Sequence, residues 1–346
     1  LSEAVGKFGK AAKAKLGSVA AAGQPEDQLR APLEELLLDV AQLIGQPRDA
    51  IVVIGESSVS DLKTRPDFAV TRRDVLVGFV ELKAPGKGAD PRKYKNTHDK
   101  QQWAKLQSLP NLIYTDGNEF SLWHGDELVS LIGLEGDIET AGVMLRAPGE
   151  LLKLFNDFLL WEPVPPRDAK QLARQSAQLC RFLRDEVTEQ LAAGSKALTG
   201  LATGWRKMLF PEATNEQFAD GYAQAVTFGL LVARAKNIQI SDGIDRVAKE
   251  LGATNSLIGA ALRIMTQEVE SEATLKTSLA TLSRVLDVVQ WEAISKGSPD
   301  AWLYFYEDFL EVYDSALRRK TGSYYTHPSL VQELVDEGMI NAEQAR

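Results

Sequence analysis

The chain has 346 residues, which at roughly 150 residues per domain gives about two domains and ample material for a buried core. Acidic residues outnumber basic ones 48 to 39, a formal net charge of −9 that excludes a globally basic nucleic-acid coat but not a local basic patch. With 44% hydrophobic and 25% charged residues, the single Cys180 and three scattered histidines, the composition is that of a soluble globular protein without internal disulfides and argues against a Cys/His zinc site.

Residues 1–22 alternate Ala and Gly with Lys7, Lys10, Lys13 and Lys15, which lacks the apolar run of a secretion signal and reads as a marginal helix or tail. From Pro25 to about Ile44, apolar residues at helical spacing (Leu29, Leu33, Leu36, Leu37, Val40, Ile44) predict a helix entered through its proline. The period then changes to that of strands over Ile51–Ile54, Asp67–Thr71 and Val75–Leu82. After a lysine-rich loop, His98–Leu109 is helical up to Pro110, and Asn111–Trp123 reads as a hairpin turning at Thr115, Asp116, Gly117 and Asn118. Helix, three strands, helix and two or more strands describe one compact α/β unit ending near residue 145.

Gly149–Leu160 reads as a short helix, and Pro163, Pro165 and Pro166 as a stiff boundary. Helical spacing from Asp168 to about Asp314 predicts an all-α bundle of six or so helices. The expected divisions are a tail or helix at 1–24, the α/β unit at 25–147, the helical region at 148–314 and a separate terminal segment at 315–346.

The residues that carry chemistry lie on two adjacent strands. Alternate side chains of a strand share a face, so Glu81 and Lys83 point one way and Leu82 the other. Thirteen residues separate Asp67 from Glu81, with Arg72, Arg73 and Asp74 at the turn, so hairpin pairing sets Asp67 beside Glu81. Asp67 and Glu81 offer hard oxygen ligands to Mg²⁺ (or Mn²⁺), and Lys83 offers donors to an attacking water or a phosphate oxygen. That set suits metal-assisted hydrolysis of a phosphodiester. On the first long helix Glu26 falls within the apolar arc; it either faces the sheet and contacts metal-bound water or is a first-turn acid favoured by the helix dipole. Gln102 shares a side with Leu106 and Leu109 and can lean over the same place, ahead of Gln101. Apolar residues on both faces of Val75–Val80 imply a central, covered strand whose charged end faces an open cleft, rather than an edge strand with a surface ion pair. Between Ala84 and Lys105, Lys87, Arg92, Lys93, Lys95, Lys100 and Lys105 stand against Asp90 and Asp99, a local positive patch fit for backbone phosphates or a solvated loop.

Pro66-Asp67, thirteen residues, then Glu81-Leu82-Lys83 resembles the PD-(D/E)XK nuclease superfamily. Glu26 and Arg30 look like the acid and arginine of restriction-subunit nucleases, and Gln102 like the glutamine on the helix after the lysine. The resemblance implies a PD-(D/E)XK core, a mixed sheet flanked by helices, with Asp67, Glu81, Lys83, Glu26 and Gln102 in the reaction and Asp67 and Glu81 on the metal. Glu216–Lys236 is similar to the connector helix of single-chain restriction-modification enzymes of the Type IIG kind. Tyr304–Leu310, Arg319-Lys320 and Gly322-Ser323-Tyr324-Tyr325-Thr326 are similar to the entry of their adenine methyltransferase domain. There Gly322, Tyr324, Tyr325 and Thr326 would contribute to an S-adenosylmethionine pocket, although His327 intervenes before Pro328 where the family continues Thr-Pro.

The glycine-rich cofactor strand and the Asn-Pro-Pro-aromatic tetrapeptide of such methyltransferases are absent, so these residues are expected to be an N-terminal piece that does not itself methylate. The expectation is a cytoplasmic, Mg²⁺-dependent DNA endonuclease of a restriction-modification or phage-defence enzyme, acting on double-stranded DNA, with transient dimerisation there and no membrane contact. The alternative is an inactive DNA-binding module that positions a methyltransferase. Phe218, Tyr222, Phe228 and Leu231 read as bundle core and His98 and His124 as surface or loop residues; no GxxxxGK[ST], GxGxxG or HExxH motif is present.

Overall fold

The computed structural model describes residues 1–18, 23–55, 66–73, 75–208, 211–254, 259, 262–263, 273–298 and 300–314. The run 322–326 and the rest of the terminal segment lie outside these residues.

Six strands form one mixed sheet in chain order: β1 (Ile51–Gly55), β2 (Phe68–Arg72), β3 (Val75–Leu82), β4 (Leu112–Thr115), β5 (Glu119–His124) and β6 (Glu127–Gly133). All neighbours are antiparallel except β3 and β4, which run parallel. A parallel pair needs a crossover, and α3 (Thr97–Leu106) supplies it. Asn96 caps α3 by accepting from the His98 N–H at 2.7 Å.

Alternation along β3 and β4 sorts the side chains into two cores. Val80, Leu82 and Ile113 pack with α1 (Ser2–Leu16), α2 (Pro25–Leu43) and α4 (Glu150–Leu159), while Phe79, Leu112 and Tyr114 pack with Leu106 and Leu109 of the α3 segment. β3 therefore has both faces covered, as its apolar run predicts. A close approach fixes Gly78 within it. A Cβ there would lie 2.6 Å from both the Asn111 carbonyl oxygen and the Phe158 ring, and the Asn111 amide donates to the Val77 and Phe158 carbonyls at 2.8 and 2.9 Å.

Of the marginal helix or tail expected over 1–22, the helix is the form the first part takes. Residues Ser2–Leu16 form a helix that buries Val5, Phe8 and Ala12, with the Phe8 and Phe120 rings edge-on at 6.4 Å. Its small residues are a packing face: a Cβ on Gly9 would stand 2.3 Å from the Gly142 carbonyl oxygen. The hydrophobic cluster of the sheet also takes in Leu151, Leu154, Phe155 and Phe158, so it crosses the division expected after residue 147.

The remaining helices among the described residues are α5 (Ala169–Ala192), α6 (Lys196–Met208), α7 (Asn215–Ala235), α8 (Ile244–Thr254), α9 (Ala273–Asp287), α10 (Trp291–Ser295) and α11 (Ala301–Tyr313). They share one core, in which Phe218, Tyr222 and Leu231 are fully buried and Phe228 is half-buried against Phe305, Tyr306 and Phe309. Arg284 of α9 ties this region to the sheet. Its guanidinium donates to the carbonyls of Leu76, the second residue of β3, and Trp161, the latter at 2.8 Å, and pairs with Glu162 at 3.0 Å. Phe182 of α5 reaches over Phe79 with ring centroids 6.5 Å apart.

Candidate active site

Antiparallel pairing aligns Phe68 with Val80, so the residue before β2, Asp67, comes abreast of Glu81. Asp67 accepts a hydrogen bond from the Leu82 N–H at 2.8 Å and an ion pair from Arg30 of α2. Glu81 and Lys83 share the face covered by α3, and the Lys83 ammonium donates to Glu81 Oε1 at 2.6 Å. Gln102 on α3 closes a triangle: its Oε1 accepts from Lys83 Nζ at 2.5 Å and its Nε2 donates to Glu81 Oε1 at 2.8 Å. Four of the five residues expected in the reaction thus meet at one place. Glu26 stands half-buried one turn before Arg30, with no hydrogen bond or ion pair to Asp67, Glu81 or Lys83 among the described residues. Gln101 is exposed.

The expected open cleft is corrected. Asp67, Glu81, Lys83 and Gln102 are 5, 2, 7 and 4% exposed, because α3 lies across the ends of the strands and Arg30 closes the side toward α2. Burial of two carboxylates is tolerable here because each has a cation, Asp67 its Arg30 and Glu81 its Lys83. Two clefts, of 310 and 890 Å³, lie elsewhere, at the junction of the sheet with the helical region near Trp161 and Arg284. Neither is lined by the cluster.

Sequence reasoning passes over Tyr114, whose Cα pairs with Glu81 across the parallel ladder and whose ring lies 5.9 Å from Lys83 Nζ. It names Asp90, Asp99 and Asp116 around the segment that follows Lys83 but not that they are buried there. Asp116, 1% exposed, accepts from the N–H groups of Gly88, Asn118 and Glu119, and Tyr94 donates to the Gly88 carbonyl at 2.7 Å. Asp90 grips Arg92 through two hydrogen bonds of 2.9 and 3.0 Å, which hold its carboxyl below the ordinary range. Lys87 pairs with the buried Asp99 at 2.7 Å. The lysine-rich segment is therefore an anchored structure rather than a loose loop, and it presents Arg92, Lys93, Lys95 and Lys100 to solvent. His98 is exposed as expected, whereas His124 is half-buried at the end of β5 beside Trp161, and burial lowers its pKa.

Asp67 and Glu81 give two adjacent carboxylates of the hard-oxygen kind that Mg²⁺ takes together with water and phosphate, so the donor set fits a divalent cation. Among the described residues no cluster of three or more His, Cys, Asp or Glu makes a self-sufficient metal cage, and no helix is long and apolar enough to cross a membrane.

No protein-family model matches the chain, and no curated protein matches it. Among solved structures it is similar to a cryo-EM structure of a DrdV–DNA complex, at 17% identity and a TM-score of 0.31, over 97% of this chain and 31% of that one. The chain thus spans about a third of that neighbour's length. A likeness of this degree is a comparison only, and the chemistry has to come from this chain's own side chains.

Proposed function

We propose that this chain is the Mg²⁺-dependent (or Mn²⁺-dependent) endonuclease part of a restriction-modification or phage-defence enzyme, hydrolysing phosphodiesters of double-stranded DNA. The observation that carries the reading is the meeting of Asp67, Glu81 and Lys83 on the ends of two paired strands under Gln102. Asp67 and Glu81 would hold the metal, which when bound supplies Lewis acidity and a water of lowered pKa. Lys83 stands within reach of whatever Glu81 holds, so its ammonium donates to the phosphate oxygen on which negative charge develops. Gln102 orients Lys83 and Glu81 together, and Arg30 fixes the Asp67 carboxylate. The exposed cations from Arg92 to Lys100 lie along the chain that leads from Lys83 to Gln102 and suit contacts to DNA phosphates. Methylation of adenine, with Gly322, Tyr324, Tyr325 and Thr326 toward S-adenosylmethionine, belongs to a longer chain in this reading, as does pairing of two copies on DNA.

The closed state of the cluster favours a second reading, a non-cleaving module that positions DNA for a methyltransferase. Incubation with supercoiled plasmid and Mg²⁺ or Mn²⁺ separates them. Nicked or linear product from the wild type, lost in the isosteric variant Asp67→Asn, is the expected result. Cutting that survives Asp67→Asn refutes the assignment, and metal-independent plasmid binding without cutting supports the second reading.

A further inference from the structure

Tyr114 is the residue of the cluster to which the hydrolytic scheme assigns nothing. It sits on β4 with its Cα paired to Glu81, it is 1% exposed, and its hydroxyl has no hydrogen-bond partner among the described residues. The ring is fixed edge-on to Trp103 at 5.7 Å and tilted against Tyr94 at 6.4 Å, so the hydroxyl has little freedom to seek another acceptor. Burial, and after it the Glu81 carboxylate, pushes the phenol well above its ordinary pKa, so it keeps the proton it can donate. A buried donor without an acceptor is destabilising, and such a group calls for an explanation.

Glu81 Oε1 accepts from both Lys83 and Gln102. On the nuclease reading, on which this inference rests, a divalent cation at Glu81 would displace the like-charged Lys83 ammonium, which takes its hydrogen bond with it. We propose that the Tyr114 hydroxyl is a positioning group that then donates to the Glu81 carboxylate, keeping it aimed at the divalent cation. Carboxylate ligands are commonly held by such a donor behind them, and its loss weakens metal binding by about 10–100-fold.

Titration calorimetry with Mn²⁺ alone tests this without reference to cutting. Tyr114→Phe removes the hydroxyl and keeps the ring; its Mn²⁺ affinity should fall by about 10–100-fold with no loss of melting temperature. Tyr94→Phe, whose hydroxyl already serves the Gly88 carbonyl, should bind Mn²⁺ as the wild type does. If Tyr114→Phe also binds as the wild type while Asp67→Asn loses binding, the inference fails and the nuclease reading stands. A wild-type chain that takes up no Mn²⁺ overturns both.

Discussion

Replacing Lys83 with methionine should unfold the protein more readily as well as stop cleavage. Glu81 is 2% exposed and Lys83 7%, with 2.6 Å between Oε1 and Nζ, so the lysine is the counter-charge of a carboxylate that water scarcely reaches. Removing one partner of a buried pair costs about 3–5 kcal/mol, because the survivor keeps its desolvation without its compensation. At about 2–4 °C per kcal/mol for a unit of this size, the melting temperature falls by roughly 6–20 °C. The double variant Glu81→Gln, Lys83→Met removes both charges at nearly constant volume, and replacing a whole buried pair is often neutral or stabilising. It should therefore melt close to the wild type and still not cut plasmid. Circular dichroism melts at neutral pH, run beside the cleavage assay, give both numbers. A Lys83→Met protein that melts with the wild type, or a double variant less stable than either single one, would show that the pair is not buried as described. The sequence alone leads to the simpler expectation that Lys83→Ala or Asp67→Ala abolishes cleavage with folding intact; burial replaces it.

Three further outcomes can be measured. Gly78→Ala places a methyl 2.6 Å from the Asn111 carbonyl oxygen, a backbone atom that cannot swing away, and should cost about 1–3 kcal/mol in urea unfolding; an unchanged midpoint contradicts the close approach. Glutamine at Arg92, Lys93, Lys95 and Lys100 should flatten the salt dependence of DNA binding by about 0.9 in log–log slope for each DNA phosphate that no longer meets a cation, and an unaltered slope moves the DNA face elsewhere. His124 is held below its ordinary pKa by burial, so the folded chain binds fewer protons there than the unfolded one and stability falls as pH drops through the unfolded value of about 6.5. Differential scanning fluorimetry between about pH 5 and pH 7 should show a flatter pH dependence for His124→Asn, and an equal slope would locate the titration in another group.

The centre of the cluster can be read from the sequence because it depends on two local regularities. The hairpin brings Asp67 to the end of β3, a one-residue shift between Val70 and Thr71 then sets it beside Glu81 rather than Val80, and the two-residue period of β3 puts Glu81 with Lys83. Gln102 follows from the helical arc it shares with Leu106. The same arc argument names Glu26 on α2, yet Arg30, one turn on, is the residue that touches Asp67, since side-chain reach rather than angle decides the contact. Tyr114 stays hidden because a parallel register comes after a crossover, and nothing in a single sequence tells how far β4 slides along β3. Closure of the site is likewise out of reach, being set by where α3 comes to rest. For the helix Ser2–Leu16 it is the packing that stays hidden: its alanines and glycines read as weak propensity, while their value lies in letting one backbone lie on another.

The grip of Arg284 on Leu76 and Trp161, with Phe182 over Phe79, has a practical consequence for anyone wishing to excise the sheet-bearing half. A boundary drawn at the proline run 163–166 looks convenient, yet it removes the lid from Phe79 and the donor from two carbonyls, leaving a sticky, thirsty scar on the strand that bears Glu81. A soluble minimal version of the sheet unit would have to retain α5 and α9, or have that scar repainted with polar side chains.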